Sequence, residues 1–183
     1  MRNYIFILLC IMCTNFSFAQ EAGKLRMGLE GGILFPLEES DGVFLKKAME
    51  LKYNLQNNMN IGIKAESTSF WKTKSYIANL LSFFATYDYY FHSEGNLFSP
   101  FIGAGLGYYF CKADDYYYYP HDYLKRKTNN PTFFIRTGFE YWKLRTSLAY
   151  NLVRNPNEIS PEGKNNDYVS LTIGFYIGGG KWK

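Results

Sequence analysis

The chain contains little cysteine, little histidine and, beyond its first twenty residues, no long apolar run. Of three cysteines, Cys10 and Cys13 lie in the N-terminal stretch and only Cys111 follows it. One remaining cysteine excludes an internal disulfide and a cysteine metal cluster. No later apolar run approaches the ~20 residues that a membrane-spanning helix needs. The formal net charge of +4 is small and dispersed along the chain, which argues against a nucleic-acid partner.

The first nineteen residues have the features of a cleavable export signal. Arg2 supplies a positive charge, residues 4–13 are apolar, and small residues lead up to Ala19. This pattern predicts a signal peptide over 1–19, although a retained helical anchor is the alternative. The mature domain is then 20–183, a single exported domain with no linker.

The stretch Phe98–Lys112 shows the period of two that is typical of a β-strand. One face carries Ile102, Ala104, Leu106, Tyr108 and Phe110. The other face carries Phe101, Gly103, Gly105, Gly107, Tyr109 and Cys111. Three glycines leave the second face almost without side chains, so we expect bulky groups from elsewhere to approach it closely.

The same alternation recurs along the rest of the chain. It predicts strands at Leu25–Phe35, Phe44–Leu55, Ile61–Phe70, Ile77–Phe91, Phe98–Lys112, Thr132–Trp142, Leu144–Leu152 and Val169–Ile177. The second of these could also be read as a short helix. Aromatic residues make up 20% of the chain and gather at strand ends, as expected at two membrane interfaces. The predicted fold is all-β: an eight-stranded antiparallel up-and-down transmembrane barrel with apolar side chains facing lipid.

Three segments carry a family resemblance: PFIGAGLGYYF (100–110), FFATYDYYF (83–91) and YVSLTIGFYIG (168–178). They resemble the small outer-membrane β-barrel superfamily, which includes the OmpA-type transmembrane domain and the opacity-type proteins. The resemblance implies residence in the outer membrane of a Gram-negative bacterium and insertion by the outer-membrane assembly machinery. The resemblance is specific for architecture and not for an activity, so it favours a structural or surface-interaction role over catalysis. One departure is the tail, because the chain continues after the last strand to Lys183, where such proteins usually end on an aromatic residue.

Connection lengths predict the orientation of the barrel. The turns after strands two, four and six are tight, whereas 113–130 is the longest connection. Outer-membrane barrels have short periplasmic turns and longer extracellular loops. We therefore expect both mature termini in the periplasm and the 113–130 loop outside the cell.

Alternation places many charged side chains on the inward face. They are Arg26, Glu30, Lys46, Glu50, Lys52, Lys64, Glu66, Asp88, Arg136, Glu140, Lys143 and Arg145. Buried charges must pair, because an isolated buried ion costs several kcal/mol. We expect a closed, salt-bridged interior. The alternative is a narrow ion-conducting path, which the excess of basic residues would tilt toward anions.

The 113–130 loop is the predicted contact with the outside. Its candidate binding residues are Tyr116, Tyr117, Tyr118, Tyr119, Tyr123, Lys125, Arg126 and Lys127. Tyrosine-rich loops bind at low entropic cost, so an extracellular ligand is one candidate partner. Basic residues could equally hold the phosphates of lipopolysaccharide, while packing of the loop on its own barrel rim is the structural alternative.

Two further classes of function are alternatives to a structural or surface role. An enzyme acting on lipid A would need a histidine at the outer rim, and His121 beside Asp122 is the candidate, since His92 lies in a predicted periplasmic turn. No nucleophile or metal-site motif accompanies it, so we predict no catalytic residue, no metal and no cofactor. A soluble periplasmic lipocalin-like barrel is the other alternative, and it requires apolar side chains to face inward. A monomer is expected.

Overall fold

A computed structural model gives the architecture of most of the chain. It describes residues 21–37, 44–72, 76–91, 97–115, 125–153 and 167–180. The strands are β1 (Leu25–Pro36), β2 (Phe44–Gln56), β3 (Met59–Lys72), β4 (Tyr76–Tyr90), β5 (Phe98–Asp115), β6 (Lys125–Tyr141), β7 (Leu144–Val153) and β8 (Tyr168–Gly178). Each strand pairs antiparallel with its neighbour in sequence, and β8 pairs with β1 to close the barrel. The predicted fold class is confirmed.

The strands are strongly staggered around the barrel. Following paired residues once around from Leu25 on β1 leads back to β1 at Phe35, ten residues farther along. With eight strands, this stagger tilts the strands by about 40° and leaves an interior that side chains can fill. Within the described ranges, no helix is long and apolar enough to cross a membrane.

The two faces of the wall differ sharply in polarity. Outward side chains are mostly apolar and exposed, for example Leu29 at 60% and Leu106 at 67%. Inward side chains include charged groups with almost no exposure, such as Glu50 at 0% and Arg145 at 1%. This arrangement suits a barrel surrounded by hydrocarbon. It is the reverse of the lipocalin-like alternative, whose apolar side chains would face inward.

Inward glycines make room for aromatic rings, as the sequence predicted. A Cβ atom at Gly105 would overlap the ring of Phe134, and one at Gly28 would overlap the ring of Tyr176. Both rings are buried. The glycines on β1 and β5 therefore allow large side chains from neighbouring strands to lie flat against the wall.

The β5–β6 hairpin is longer than predicted. β5 continues to Asp115 and β6 begins at Lys125, so the connection is 116–124 and not 113–130. Backbone pairing persists through the polar segment, where Lys112 pairs with Lys127. This extension could not be predicted from the sequence, because the residues of the extension do not alternate between apolar and polar. The second predicted element is a strand and not a helix.

The C-terminal glycines turn the chain beneath the barrel. Gly178, Gly179 and Gly180 have φ of 85°, 91° and 75°, a region that side-chain-bearing residues rarely adopt. The amide of Gly179 donates to the Leu25 carbonyl at 2.9 Å, and its own carbonyl accepts from the amide of Glu21 at 2.5 Å. The tail and the N-terminal segment thus close together at the tight-turn end.

Valine substitutions at Gly28 and Gly31 should differ in their effect on stability, because the two glycines lie on opposite faces of β1. Gly28→Val forces a side chain into the buried Tyr176 ring and should lower the free energy of unfolding by about 1–3 kcal/mol. Gly31→Val is the matched control, because nothing lies within 4 Å of its Cβ position. Urea titration, with the folded fraction read from heat-modifiable gel migration, measures the stability of both variants. Equal stability of the two variants would contradict the assignment of faces.

Candidate functional site

An arginine spans the middle of the barrel interior, or lumen. Arg136 on β6 places Nη2 2.6 Å from Oε1 of Glu50 on β2. Its Nε lies 2.8 Å from Oδ1 of Asp88 on β4. β2 and β6 stand four places apart in a ring of eight strands, so this guanidinium joins opposite walls. Forked contacts of this kind are the strong form of a charge-assisted hydrogen bond.

Hydroxyl groups complete the coordination of the central carboxylates. The Tyr176 hydroxyl lies 2.5 Å from Oε1 of Glu30 and 2.6 Å from Oε2 of Glu50. Thr86 Oγ1 donates to Oε1 of Glu50 at 2.7 Å. The ammonium of Lys64 lies 2.8 Å from Oε2 of Glu30. These contacts connect β8, β2, β4, β1 and β3 through the lumen.

A second group of charges lies nearer the tight turns. Arg145 donates from Nη1 to the Tyr90 hydroxyl at 2.6 Å and to Oε1 of Glu140 at 3.0 Å. Its guanidinium carbon stacks 3.6 Å from the centre of the Phe101 ring. Arg26 donates to Glu140 at 2.8 Å. Lys52 donates to Oδ2 of Asp88 at 2.5 Å.

A third pair lies toward the long loops. The ammonium of Lys46 is 2.5 Å from Oε2 of Glu66 and donates to the Ser170 hydroxyl at 3.2 Å. Below it, the rings of Phe84 and Phe134 pack edge to face with centroids 4.9 Å apart. Lys64 lies 3.8 Å from Oε1 of Glu66 and 2.8 Å from Oε2 of Glu30, so a chain of ion pairs runs past these rings and joins this pair to the central carboxylates.

The structure gathers the predicted inward charges into these groups, with one correction. Arg26, Glu30, Lys46, Glu50, Lys52, Lys64, Glu66, Asp88, Arg136, Glu140 and Arg145 are each at most 5% exposed, and each makes an ion pair. Lys143 lies instead in the turn between β6 and β7, because the alternation ends at Tyr141. The described lumen therefore holds six basic and five acidic side chains.

An apolar layer at the long-loop end was missed by the sequence reasoning. It consists of Leu34, Phe44, Leu80, Tyr109, Val153 and Tyr168. Each occupies an inward position: four of them lie within two residues of a strand end, whereas Leu80 and Tyr109 lie farther inside β4 and β5. Leu34 pairs directly with Phe44. Continuing the inward alternation to the strand ends would have revealed it. The layer covers the ionic interior on the side of the long loops.

The predicted surface residues are only partly within the described chain. Lys125, Arg126 and Lys127 lie in β6, not in a loop, and pair with β5. Tyr116–Tyr119, Tyr123, His92 and His121 lie outside the described residues. In the part of the chain that the structure describes, no group of three or more His, Cys, Asp or Glu side chains could hold a metal ion.

Comparison with known proteins shows the fold. No protein-family model matches the sequence, and no curated protein matches it. The structure of Neisserial surface protein A is similar, with a TM-score of 0.63, 15% identity, and coverage of 85% of this chain and 97% of that one. This chain has the fold of the small outer-membrane β-barrels.

Two further solved barrels agree with this assignment. The N-terminal β-barrel domain of Pseudomonas aeruginosa OprF gives a TM-score of 0.52 at 12% identity, covering 86% of this chain and all 100% of that one. Ail, the attachment invasion locus protein of Yersinia pestis, gives a TM-score of 0.51 at 10% identity, covering 85% of this chain and 99% of that one. At such low identity the likeness concerns the barrel architecture.

Removing the cation that joins opposite walls should destabilise the barrel strongly. Arg136→Met removes one buried cationic partner from both Glu50 and Asp88. We therefore expect the free energy of unfolding to fall by about 3–5 kcal/mol. Lys47→Met, which removes a cation from the exposed outer face of β2, is the control and should leave stability nearly unchanged. Urea titration in detergent micelles measures the difference, and a stable Arg136→Met barrel would contradict a structural role for this network.

Proposed function

We propose that the protein is an integral outer-membrane barrel with a closed interior and a structural or surface-interaction role, not an enzyme. The observation that carries this proposal is the apolar outer wall around buried, mutually paired charges. The fold of the small outer-membrane barrels supports residence in the outer membrane of a Gram-negative bacterium. Insertion by the outer-membrane assembly machinery, which the family resemblance implies, and a monomeric state are part of this proposal.

The proposed orientation places both mature termini in the periplasm. The first and last strands begin and end at the same end of the barrel as the tight turns after β2 and β6. The long connections lie at the other end, between β5 and β6 and between β7 and β8. Short periplasmic turns and longer outer loops are the rule for such barrels.

Two barriers in series support a closed lumen. The first is the paired charges joined by Arg136, and the second is the apolar layer that contains Leu34 and Leu80. An apolar constriction excludes water, so an ion that entered it would lose its hydration shell and find no polar groups to replace it. These barriers favour the closed barrel over the alternative of a narrow ion-conducting path.

The β5–β6 hairpin is the proposed surface for lipopolysaccharide. Tyr109 belongs to the apolar layer, and the pairing of Lys112 with Lys127 lies three residues beyond it, about 10 Å along the strand. Paired backbone therefore carries the basic segment 125–127 past the apolar wall, toward the level of lipid phosphates. Tyr116–Tyr119 and Tyr123, on the connection itself, are the proposed contacts for an extracellular ligand.

Planar-bilayer recording tests the closed interior. The protein should resist carbonate extraction from membranes, and after purification it should give no steady channel steps. Leu34→Ser with Leu80→Ser places hydroxyls in the apolar layer and should raise the frequency of brief openings. Leu29→Ser with Ile173→Ser alters the outer wall and is the control. Regular channel steps from the unaltered protein would refute closure, and release by carbonate would refute membrane integration.

Lipid vesicles test the basic segment. Replacing Lys125, Arg126 and Lys127 with glutamine should weaken binding of purified lipopolysaccharide vesicles by about 10- to 100-fold, since each basic residue contributes about 1 kcal/mol near an anionic surface. Glutamine at Lys24, Lys181 and Lys183 removes the same three charges elsewhere in the chain and should have little effect. Phosphatidylcholine vesicles report charge-independent binding. Unchanged affinity of the first variant would reject this surface.

A further inference from the structure

The tight-turn end of the lumen contains a distinct layer of buried polar groups, here called the floor layer. It consists of Arg26, Lys52, Asn54, Asn60, Asp88, Tyr90, Ser99, Glu140 and Arg145. Strand register brings its members together, because Arg26 pairs with Lys52, Asn60 with Asp88, and Glu140 with Arg145. Every member is at most 5% exposed.

The floor layer contains one more cation than it contains carboxylates. It contains three cations and two carboxylates, the latter being Asp88 and Glu140. The other described ionic groups of the lumen are balanced: Lys46, Lys64 and Arg136 against Glu30, Glu50 and Glu66. Arg136 also binds Asp88, while Lys52 lies 3.6 Å from Glu50 and Arg145 lies 3.8 Å from Glu30. Six cations therefore share five carboxylates across the described lumen. A buried charge without a counter-charge is costly in this low-dielectric interior.

Unused hydrogen-bonding groups lie in the same layer. Asn60 is fully buried, and neither its Nδ2 nor its Oδ1 has a hydrogen-bond partner. Nη1 of Arg26 and Oδ1 of Asn54 are also buried without a partner. Asn54 pairs directly with Asn60, and Arg26 pairs with Lys52, so these groups come from three adjacent strands, β1 to β3.

We propose that the floor layer binds a monovalent, halide-sized anion between Arg26, Lys52 and Asn60. Nη1 of Arg26 and Nδ2 of Asn60 would donate hydrogen bonds to the anion, and the anion would neutralise the third cation. The unpartnered oxygens of Asn54 and Asn60 would accept from water that completes its hydration. Chloride is the abundant anion of this size and charge.

The first experiment uses the purified protein in detergent micelles, with chloride replaced by gluconate at constant ionic strength. A ligand that binds only the folded state stabilises it in a saturable way. Chloride at about ten times its dissociation constant should raise the midpoint of thermal unfolding by about 3–6 °C. Crystals soaked in bromide should show an anomalous peak beside Asn60. No peak and no halide dependence would overturn the proposal.

A charge substitution tests the location of the site. Asn60→Asp supplies a permanent carboxylate, so this variant should lose both the halide dependence and the bromide peak. Asn151→Asp is the matched control, because Asn151 is equally buried but lies near the balanced Lys46–Glu66 pair at the other end. It should keep the halide dependence. Full dependence retained in Asn60→Asp would overturn the placement, and the wild-type measurements stand if either variant fails to fold.

Discussion

The structure depends on the requirement that charges buried inside the barrel neutralise one another across the lumen. Arg136 meets this requirement by joining Glu50 and Asp88, which belong to strands on other sides of the barrel. Such contacts form only if all eight strands close in the correct register. A slip of one residue would turn every inward side chain outward and expose the charges to lipid. The ionic interior therefore specifies the register as well as filling the lumen.

Period-two alternation made the barrel predictable from sequence. Each outward leucine on β1 is followed by an inward polar or glycine residue, as with Leu29 and Glu30, and the exposed fractions of 60% and 5% reproduce that pattern. Because lipid and lumen demand opposite polarities, one pattern determines both faces of the wall. The glycines of β5 were informative for the same reason, since a bare inward face implies rings from a neighbouring strand.

The pairing of particular charges could not be read from the chain. Arg136 and Glu50 lie 86 residues apart, and their meeting depends on the ten-residue stagger, which alternation does not reveal. The start of β6 at Lys125 was missed because backbone hydrogen bonds, and not apolar side chains, hold that segment. Lys143 was placed inward because the pattern was extended into a turn. Local sequence describes faces well and strand ends poorly.

The apolar layer at the long-loop end also separates the ionic interior from the connections between strands at that end. Leu34, Phe44 and their neighbours cover the ion pairs before the chain reaches the loops. Exchanging an outer loop for a longer or unrelated one would therefore leave the ionic interior covered. The ionic interior is in this sense independent of the length and composition of the connections at this end.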